Sequence, residues 1–350
     1  MSTAPGRLTV DIVIVNWNAG HHLGNCLRSI ARADQSVLHV GKVVVVDNAS
    51  SDGSDWNLHV TGLPLRWVRN TENHGFARAC NQGAALCDSE FLLFLNPDTE
   101  LCPDTLRITG EALRTPGAAG FGIFGAHMVD EQGRPQVSCS RFPNPRIYVG
   151  RMTGLDRLAP ALFPTHHMRP EEVPRSGPVD QVIGAFFLVR RPLFTELNGF
   201  DDGYFLYLEE VDFALRARRL SWPSYYIKEA RVHHVGQVSS VQLGPWRHYL
   251  LLCSRTRYMF RHWPKYQAWL ITALSLSVEP VARMVGAALR GQRVELRATL
   301  AVHREFLRWL RRDHELGPPS APPAAARLRQ TATSQRARPA HARNARKARQ

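Results

Sequence analysis

The sequence predicts an α/β protein built on a mostly parallel sheet, and three observations carry that prediction. Strand-length, β-branched runs alternate with segments whose apolar residues recur at helical spacing. The early strands feed polar loops rich in Asn, Asp and Ser at their carboxyl ends. The run Phe91-Leu92-Leu93-Phe94-Leu95 is apolar at every position, as a strand covered on both faces must be.

Taken in order, Val10-Asp11-Ile12-Val13-Ile14-Val15 is a β-branched strand, with Asn16-Trp17-Asn18 at its carboxyl end. Leu23, Leu27 and Ile30 then mark one face of a helix. Lys42-Val43-Val44-Val45-Val46 is a second buried strand, and it opens into Asp47 to Ser54, a loop dense in hydrogen-bonding groups. Leu65 to Val68 is a third short strand, followed by the polar stretch Asn70 to Gly75 and a small-residue helix from Phe76 to about Leu86. After Phe91 to Leu95, Pro97 has no amide hydrogen for the ladder, so the chain leaves the sheet and carries Asp98 out at the strand's carboxyl end. In open α/β sheets that edge is where ligands bind. The alternation implies a Rossmann-like sheet with right-handed crossovers.

The second half is less regular. Gly120-Phe121-Gly122-Ile123-Phe124-Gly125 matches G-x-G-x-x-G, but Asp130-Glu131-Gln132-Gly133 reads as a hairpin turn, so no helix opens where a dinucleotide fingerprint requires one. Residues 141 to 178 are rich in Pro and Gly, and they read as a mobile flap near the site. Val179 to Arg190 reads as a strand with Gly184-Ala185 at its centre, where backbone approaches a ligand closely; Pro192 opens a short helix that Gly199 closes. In Tyr207 to Arg216, Leu208, Val211 and Leu215 form a buried helical stripe. Glu209, Asp212 and Arg216 share another face, which leaves Glu210 without an in-helix cation. Val232-His233-His234-Val235 follows, a histidine pair that is either structural or metal-binding.

Charge divides the chain. Its 350 residues carry a net +14; residues 1–244 hold 23 Lys+Arg against 25 Asp+Glu, whereas 245–350 hold 21 against 5. A nearly neutral body therefore bears a basic appendage. Six cysteines show no paired spacing, which fits reduced thiols in a cytoplasmic protein. No signal peptide is read at the amino terminus. The longest uncharged apolar run, Ala268 to Val278, has 11 residues, short of the roughly 20 that span a bilayer, so no integral membrane segment is expected.

The ordered series Val13-Ile14-Val15-Asn16-Trp17-Asn18, Val46-Asp47-Asn48-Ala49-Ser50-Ser51-Asp52-Gly53-Ser54, Asn73-His74-Gly75-Phe76, Leu95-Asn96-Pro97-Asp98, Gly184-Ala185-Phe186, Gly199-Phe200-Asp201, Glu209-Glu210-Val211-Asp212 and His233-His234 resembles the family 2 glycosyltransferases, most of all their bacterial rhamnosyltransferase branch. The resemblance covers residues 10 to about 240. It implies a GT-A fold, a Rossmann-like mixed sheet with helices on both faces, and inverting transfer from a nucleoside diphosphate sugar. It implies that Asn16, Asp47, Asn73 and Gly184 belong to the nucleotide-sugar pocket, and that Asp98 holds a divalent metal, Mg or Mn, against the donor diphosphate. His233 or His234 would help at the metal, and Glu210 would be the base. Two departures stand out: Asn96 replaces the first acidic residue of the family's Asp-x-Asp, and the base position carries Glu rather than Asp, so Glu209 and Asp212 remain candidates.

These readings give an expected glycosyltransferase domain over 1–244, a basic amphipathic helical extension over 245–316 and a disordered basic tail over 317–350. In the extension, Ala268 to Val278 and Pro280 to Leu289 are apolar, while Leu296, Leu300, Phe306, Leu307 and Leu310 face Arg293, Arg297, Arg304, Arg308, Arg311 and Arg312. That pattern suits a helical subdomain packed on the body or a helix lying on the anionic inner face of the cell membrane, where a polyprenyl-linked or saccharide acceptor for cell-wall or other surface polysaccharide would be met. The expected donor is dTDP-rhamnose. The alternatives are a UDP-sugar, or a noncatalytic membrane- or nucleic-acid-binding protein on the same scaffold.

Overall fold

The computed structural model describes residues 7–54, 58, 60–236, 238–312 and 316–319. In its first half, β1 (Leu8–Asn16), α1 (His21–Arg32), β2 (Leu38–Asp47), β3 (Leu65–Arg69), α2 (Phe76–Ala84) and β4 (Phe91–Leu95) follow the expected series. The four strands run parallel in the order β3-β2-β1-β4. β-Branched residues on successive positions favour the pleat, and the period of two sends alternate side chains to opposite cores. Ile12 and Ile14 join Leu93 and Leu95 on one face, whereas Val13 and Val15 join Val44 and Phe94 on the other. Asp11 is the one charged residue in β1. Fully buried, its carboxylate accepts from the amides of Asp88 and Ser89 and from Ser89 Oγ, which pins the turn leading into β4.

Beyond β4 come β5 (Thr99–Leu101), α3 (Thr105–Leu113), β6 (Ile123–Val129), β7 (Cys139–Ser140), α4 (Pro145–Thr153), α5 (Leu155–Leu158), β8 (Gly177–Val179), β9 (Gln181–Val182), β10 (Phe186–Arg190), α6 (Arg191–Glu196), α7 (Glu209–Arg219) and β11 (Ser224–His234). The sheet continues β4-β10-β6-β11-β5, with β10 antiparallel to both neighbours. It is therefore mixed rather than parallel throughout. Gly125 lies within β6 and no helix opens there, in keeping with the rejected dinucleotide fingerprint.

Two expectations for this half are corrected. The segment 141–178 is not a structureless flap, because it folds α4 and α5. Asn144 Oδ1 caps α4 by accepting from the Ile147 amide, Pro145 occupies the first turn and Gly154 ends the helix at φ +80°. The predicted strand 179–190 is broken into β8, β9 and β10, with Gly184 and Ala185 in the gap.

The carboxyl-terminal region is helical as expected: α8 (Trp246–His262), α9 (Lys265–Leu289) and α10 (Arg293–Arg312). The expected division after residue 244 does not coincide with a break in packing, since Tyr258 of α8 is fully buried in the core that also holds Phe94 and Phe213. α9 runs unbroken through Glu279 and Pro280, so one helix takes the place of the two apolar pieces. At 25 residues it is long and apolar enough, by length and composition, to cross a membrane, contrary to the count of uncharged residues. Glu279 is tolerated because it is paired with Arg255 of α8 at 2.6 Å. The basic tail expected over 317–350 lies, apart from 317–319, outside the described residues.

Asp11→Ala leaves two buried amides and a hydroxyl without their acceptor, at about 1–3 kcal/mol for each unsatisfied group. A clearly lower urea midpoint is expected, and an unchanged midpoint would refute this role for Asp11.

Candidate active site

The parallel register brings Asn16 opposite Asp47 at the carboxyl ends of β1 and β2. Asn16 is fully buried, and its Nδ2 lies 2.8 Å from Asp47 Oδ1, 2.9 Å from Ser54 Oγ and 3.1 Å from Ser50 Oγ. Its Oδ1 is buried without a partner. Asn48 ties in the next loop: its Nδ2 donates to Asn73 Oδ1 at 2.8 Å and to the Gly75 carbonyl at 3.1 Å. Its Oδ1 accepts from Asn70 and from the His74 amide. Asn16, Asp47 and Asn73 thus belong to one network, with Asn48 at its centre. Asn48 was legible in the motif but carried no assigned role. Beside the network opens a cleft lined by Gly20, His21, Gly24, Arg28, Asp52 and Ser54.

Asp98 follows β4 as Pro97 dictates, and it is buried. Its main-chain carbonyl accepts from the Val235 amide at 3.1 Å, which fixes it against the end of β11. His234 Nε2 lies 3.5 Å from Asp98 Oδ1 and has no closer hydrogen-bond partner. Burial pushes the Asp98 carboxyl up, but the neighbouring His234 imidazole and the Val238 amide outweigh it and hold the group below the usual carboxylate range. His233 turns the other way, with Nδ1 3.1 Å from the Asp130 carbonyl oxygen, so the histidine pair divides and only His234 faces Asp98. Asn96 acts through its backbone, its carbonyl accepting from the Thr99 amide and hydroxyl in the turn that presents Asp98.

Asp98 and His234 are one carboxylate oxygen donor and one imidazole with a buried, unsatisfied nitrogen. This donor set suits a divalent cation that takes its remaining ligands from a bound diphosphate. Among the described residues no cluster of three or more His, Cys, Asp or Glu side chains forms a self-sufficient metal cage.

α7 carries the second acidic cluster. The two residues before its first turn, Tyr207 and Leu208, adopt φ of +74° and +67°. Two consecutive left-handed side-chain-bearing residues store strain, and such strain concentrates at functional sites. They aim Glu209 and Glu210 inward, where each has one buried carboxylate oxygen without a partner. Desolvation, reinforced by its neighbour Glu210, pushes Glu209 well above the usual carboxyl range, and desolvation likewise raises Glu210. Glu210 faces the gap in the broken strand: a Cβ at Gly184 would lie 3.6 Å from Glu210 Cγ. Glu209 is more deeply buried, at 5% exposure.

Asp212, the third base candidate, is the most heavily paired of the three acids. It is fully buried, with Arg216 Nε at 2.7 Å, His262 Nε2 at 2.6 Å, Arg261 Nε at 3.2 Å and the Tyr204 hydroxyl at 3.4 Å. Burial opposes its charge, but the His262 hydrogen bond and the two guanidinium groups hold its carboxyl below the ordinary range. A carboxylate without exposed surface, held ionised by two guanidinium groups and an imidazole, is a weak proton acceptor. His262 and Arg261 come from α8, which also grips Asp201 through Arg257 and Arg261. Ser254 of α8 donates to the Leu206 carbonyl at 2.8 Å. The loop that presents α7 is thus held by the carboxyl-terminal helices on one side and, through the Phe76 amide to Phe205 carbonyl bond, by the Asn73 loop on the other.

The geometry agrees with comparison to known proteins. The family model described as "Glycosyl transferase family 2" matches residues 11–171. The N-acetylglucosaminyl-diphospho-decaprenol L-rhamnosyltransferase of Mycobacterium tuberculosis is 28% identical over 238 residues, 64% of this chain and 75% of that protein. Rhamnosyltransferase WbbL of Escherichia coli is 28% identical over 148 residues, 42% of this chain and 53% of its own length. Among solved structures, GalNAc-T7 with UDP, GalNAc and Mn2+ superposes with a TM-score of 0.50 at 15% identity, over 72% of this chain and 51% of that one, a likeness of fold.

Because burial raises the Glu209 carboxyl, its contribution to stability is full below the unfolded pKa and is lost as pH rises through the raised folded value. Glu209→Gln should therefore melt about 2 °C or more above the wild type near pH 8, with the gap closing towards pH 5. Equal melting temperatures at both values would contradict the buried, uncompensated carboxylate.

Proposed function

Since the chain is a family 2 glycosyltransferase, we propose that it transfers rhamnose, with inversion, from dTDP-rhamnose to a hydroxyl of a lipid-linked saccharide on the route to a surface polysaccharide. The observation that carries this reading is the contrast between two carboxyl groups whose elements meet at one point of the backbone: the Asn96 amide, two residues before Asp98, donates to the Ala185 carbonyl at 3.1 Å, next to the Gly184 that Glu210 faces. Asp98 is held ionised beside His234 at the strand edge, while Glu210 has its carboxyl raised and one oxygen free beside Gly184. Environments that push carboxyl groups apart in this way divide a site into a charge-stabilising side and a proton-accepting side. Two relatives are named as rhamnosyltransferases, and the name of one gives a decaprenol-linked acceptor.

The Asn16, Asp47, Asn48 and Asn73 network would recognise the nucleoside by hydrogen bonds. Asp98 and His234 would hold Mg or Mn against the donor diphosphate. A bound cation would neutralise the charge that develops on the leaving nucleoside diphosphate. Asn96 brings no second carboxylate, so this chain would hold the metal with less charge than the family's Asp-x-Asp.

Glu210 takes the proton from the acceptor hydroxyl as its oxygen bonds to the anomeric carbon. The bond from that carbon to the diphosphate oxygen breaks on the opposite face, through a transition state like that of glycoside hydrolysis. One displacement inverts the configuration. The open backbone at Gly184 leaves room beside the base for the reacting hydroxyl and the sugar.

Removing the base should slow the chemistry without emptying the donor pocket. Glu210→Gln is expected to lower kcat about 10²- to 10⁴-fold while dTDP affinity stays within a few-fold of the wild type. Wild-type kcat should rise with pH through the raised Glu210 value, because only the ionised form accepts a proton. A variant with near-normal kcat would remove Glu210 from this role.

A further inference from the structure

We propose that the outward face of α9 is a docking surface for an anionic bilayer, on which the helix lies flat rather than crossing. Its large apolar side chains are turned to solvent: Tyr266 is 71% exposed, Trp269 60%, Leu270 58%, Val281 54%, Val285 53% and Leu289 84%. Exposed Ala273 and Ser277 complete a line that advances by three or four residues along the helix, about 37 Å at 1.5 Å per residue. That line carries no charge. Of its two hydroxyls, that of Ser277 donates back to the Ala273 carbonyl at 2.8 Å, and that of Tyr266, at one end, accepts from Gln267 Nε2 at 3.0 Å. Apolar exposure on this scale marks an interaction surface rather than ordinary scatter.

The charge around the stripe selects the occupant. From Trp246 to Arg312 there are 13 Lys+Arg and 3 Asp+Glu, net +10. The three acids are each matched with an arginine, Glu279 with Arg255, Glu295 with Arg290 and Glu305 with Arg308. Lys265 and Arg290 stand exposed near the two ends of α9, with Arg297 and Arg304 on α10. Pairing two copies through this face would bring two such cationic regions together, whereas an anionic lipid surface attracts them at about 1 kcal/mol per Lys or Arg near it. Tyr266 and Trp269 at one end are the residue types that settle at headgroup depth.

The opposite side of α9 is already occupied by protein. Ala268 and Ile271 are buried with Ile147 and Met152 of α4, and Glu279 is buried against Arg255. A helix committed to protein along one flank and apolar along the other is built to sit in the plane of the interface. The surface is independent of the donor assignment, and its tests involve no nucleotide.

The experiment uses the full chain and sedimentation with sucrose-loaded vesicles of equal parts phosphatidylcholine and phosphatidylglycerol, or of phosphatidylcholine alone. Binding to the anionic vesicles is expected, weakening as salt is raised and at least about tenfold weaker on the neutral ones. Leu270→Glu combined with Val285→Glu should reduce anionic-vesicle partitioning at least about tenfold, with the circular dichroism spectrum retained. Leu158→Glu, at an exposed position on α5, should leave partitioning unchanged. Absence of binding, equal binding to neutral vesicles, or binding unaffected by the double substitution would overturn the proposal. A lipid-free dimer abolished by the same substitutions would assign the face to a second copy, and protein that resists salt and alkaline washing would assign α9 as a spanning helix. The salt titration of the wild type reads the charge component even if the double variant misfolds.

Discussion

A single buried carboxylate organises the active half of this molecule. Asp212 has no exposed surface, and two arginines, a histidine and a tyrosine hydroxyl converge on it. Arg216 extends the cluster by donating to the carbonyls of Leu197 and Gly199, so the turn before the 200–208 loop is fixed to the helix after it. Breaking a buried pair by removing one partner typically costs about 3–5 kcal/mol, because the other charge stays behind without compensation. The cluster spans α6, α7 and α8, so the carboxyl-terminal helices form part of the wall of the site. The depressed Asp212 carboxyl gives stability that is present above its unfolded pKa and lost as pH falls through the lower folded value.

Fixing Asp212 frees its neighbours to be different. Three acids lie within four residues on one helix, yet their surroundings give them separate characters. Asp212 is saturated with donors and stays charged; Glu209 is enclosed and unpaired; Glu210 keeps a free oxygen at the gap left by Gly184. The left-handed pair Tyr207 and Leu208 sets that presentation, and its strain is sustained by the packing around it. Phe200 packs in the core between the two elements, 4.8 Å from the Phe94 ring on β4 and 5.4 Å from the Phe213 ring on α7. Displacing α7 would therefore disturb the donor side as well.

Much of the site was legible in the sequence where chemistry is local to a strand end. Asn16 and Asp47 directly follow apolar runs and Asp98 follows one after two intervening residues, and parallel pairing must bring such ends together. The second half was harder to read because its determinants are distant contacts. Nothing in the spacing of Val179 to Arg190 announced that three short strands would replace one, and the Pro-rich stretch concealed the one local signal it held, the Asn144-Pro145 cap of α4. Asp212 resembled its neighbours until Arg261 and His262 arrived from about fifty residues away. The division of His233 from His234 likewise depends on where the Asp130 turn lies. The apolar length of α9 was missed because Glu279 interrupts the run, and only its partner Arg255 shows why the helix continues.

In the proposed reaction Asp98 and His234 would hold the donor diphosphate through a cation, with the nucleoside against Asn16 and Asp47. Titration calorimetry of the purified chain with dTDP and with UDP, each with and without Mn2+, on the wild type and on Asp98→Ala, tests this most directly. The account predicts that dTDP binds more tightly than UDP, that Mn2+ strengthens binding to the wild type, and that Asp98→Ala abolishes the metal's contribution. Binding indifferent to Mn2+ and to the Asp98 substitution, or no binding of either nucleotide, would contradict it.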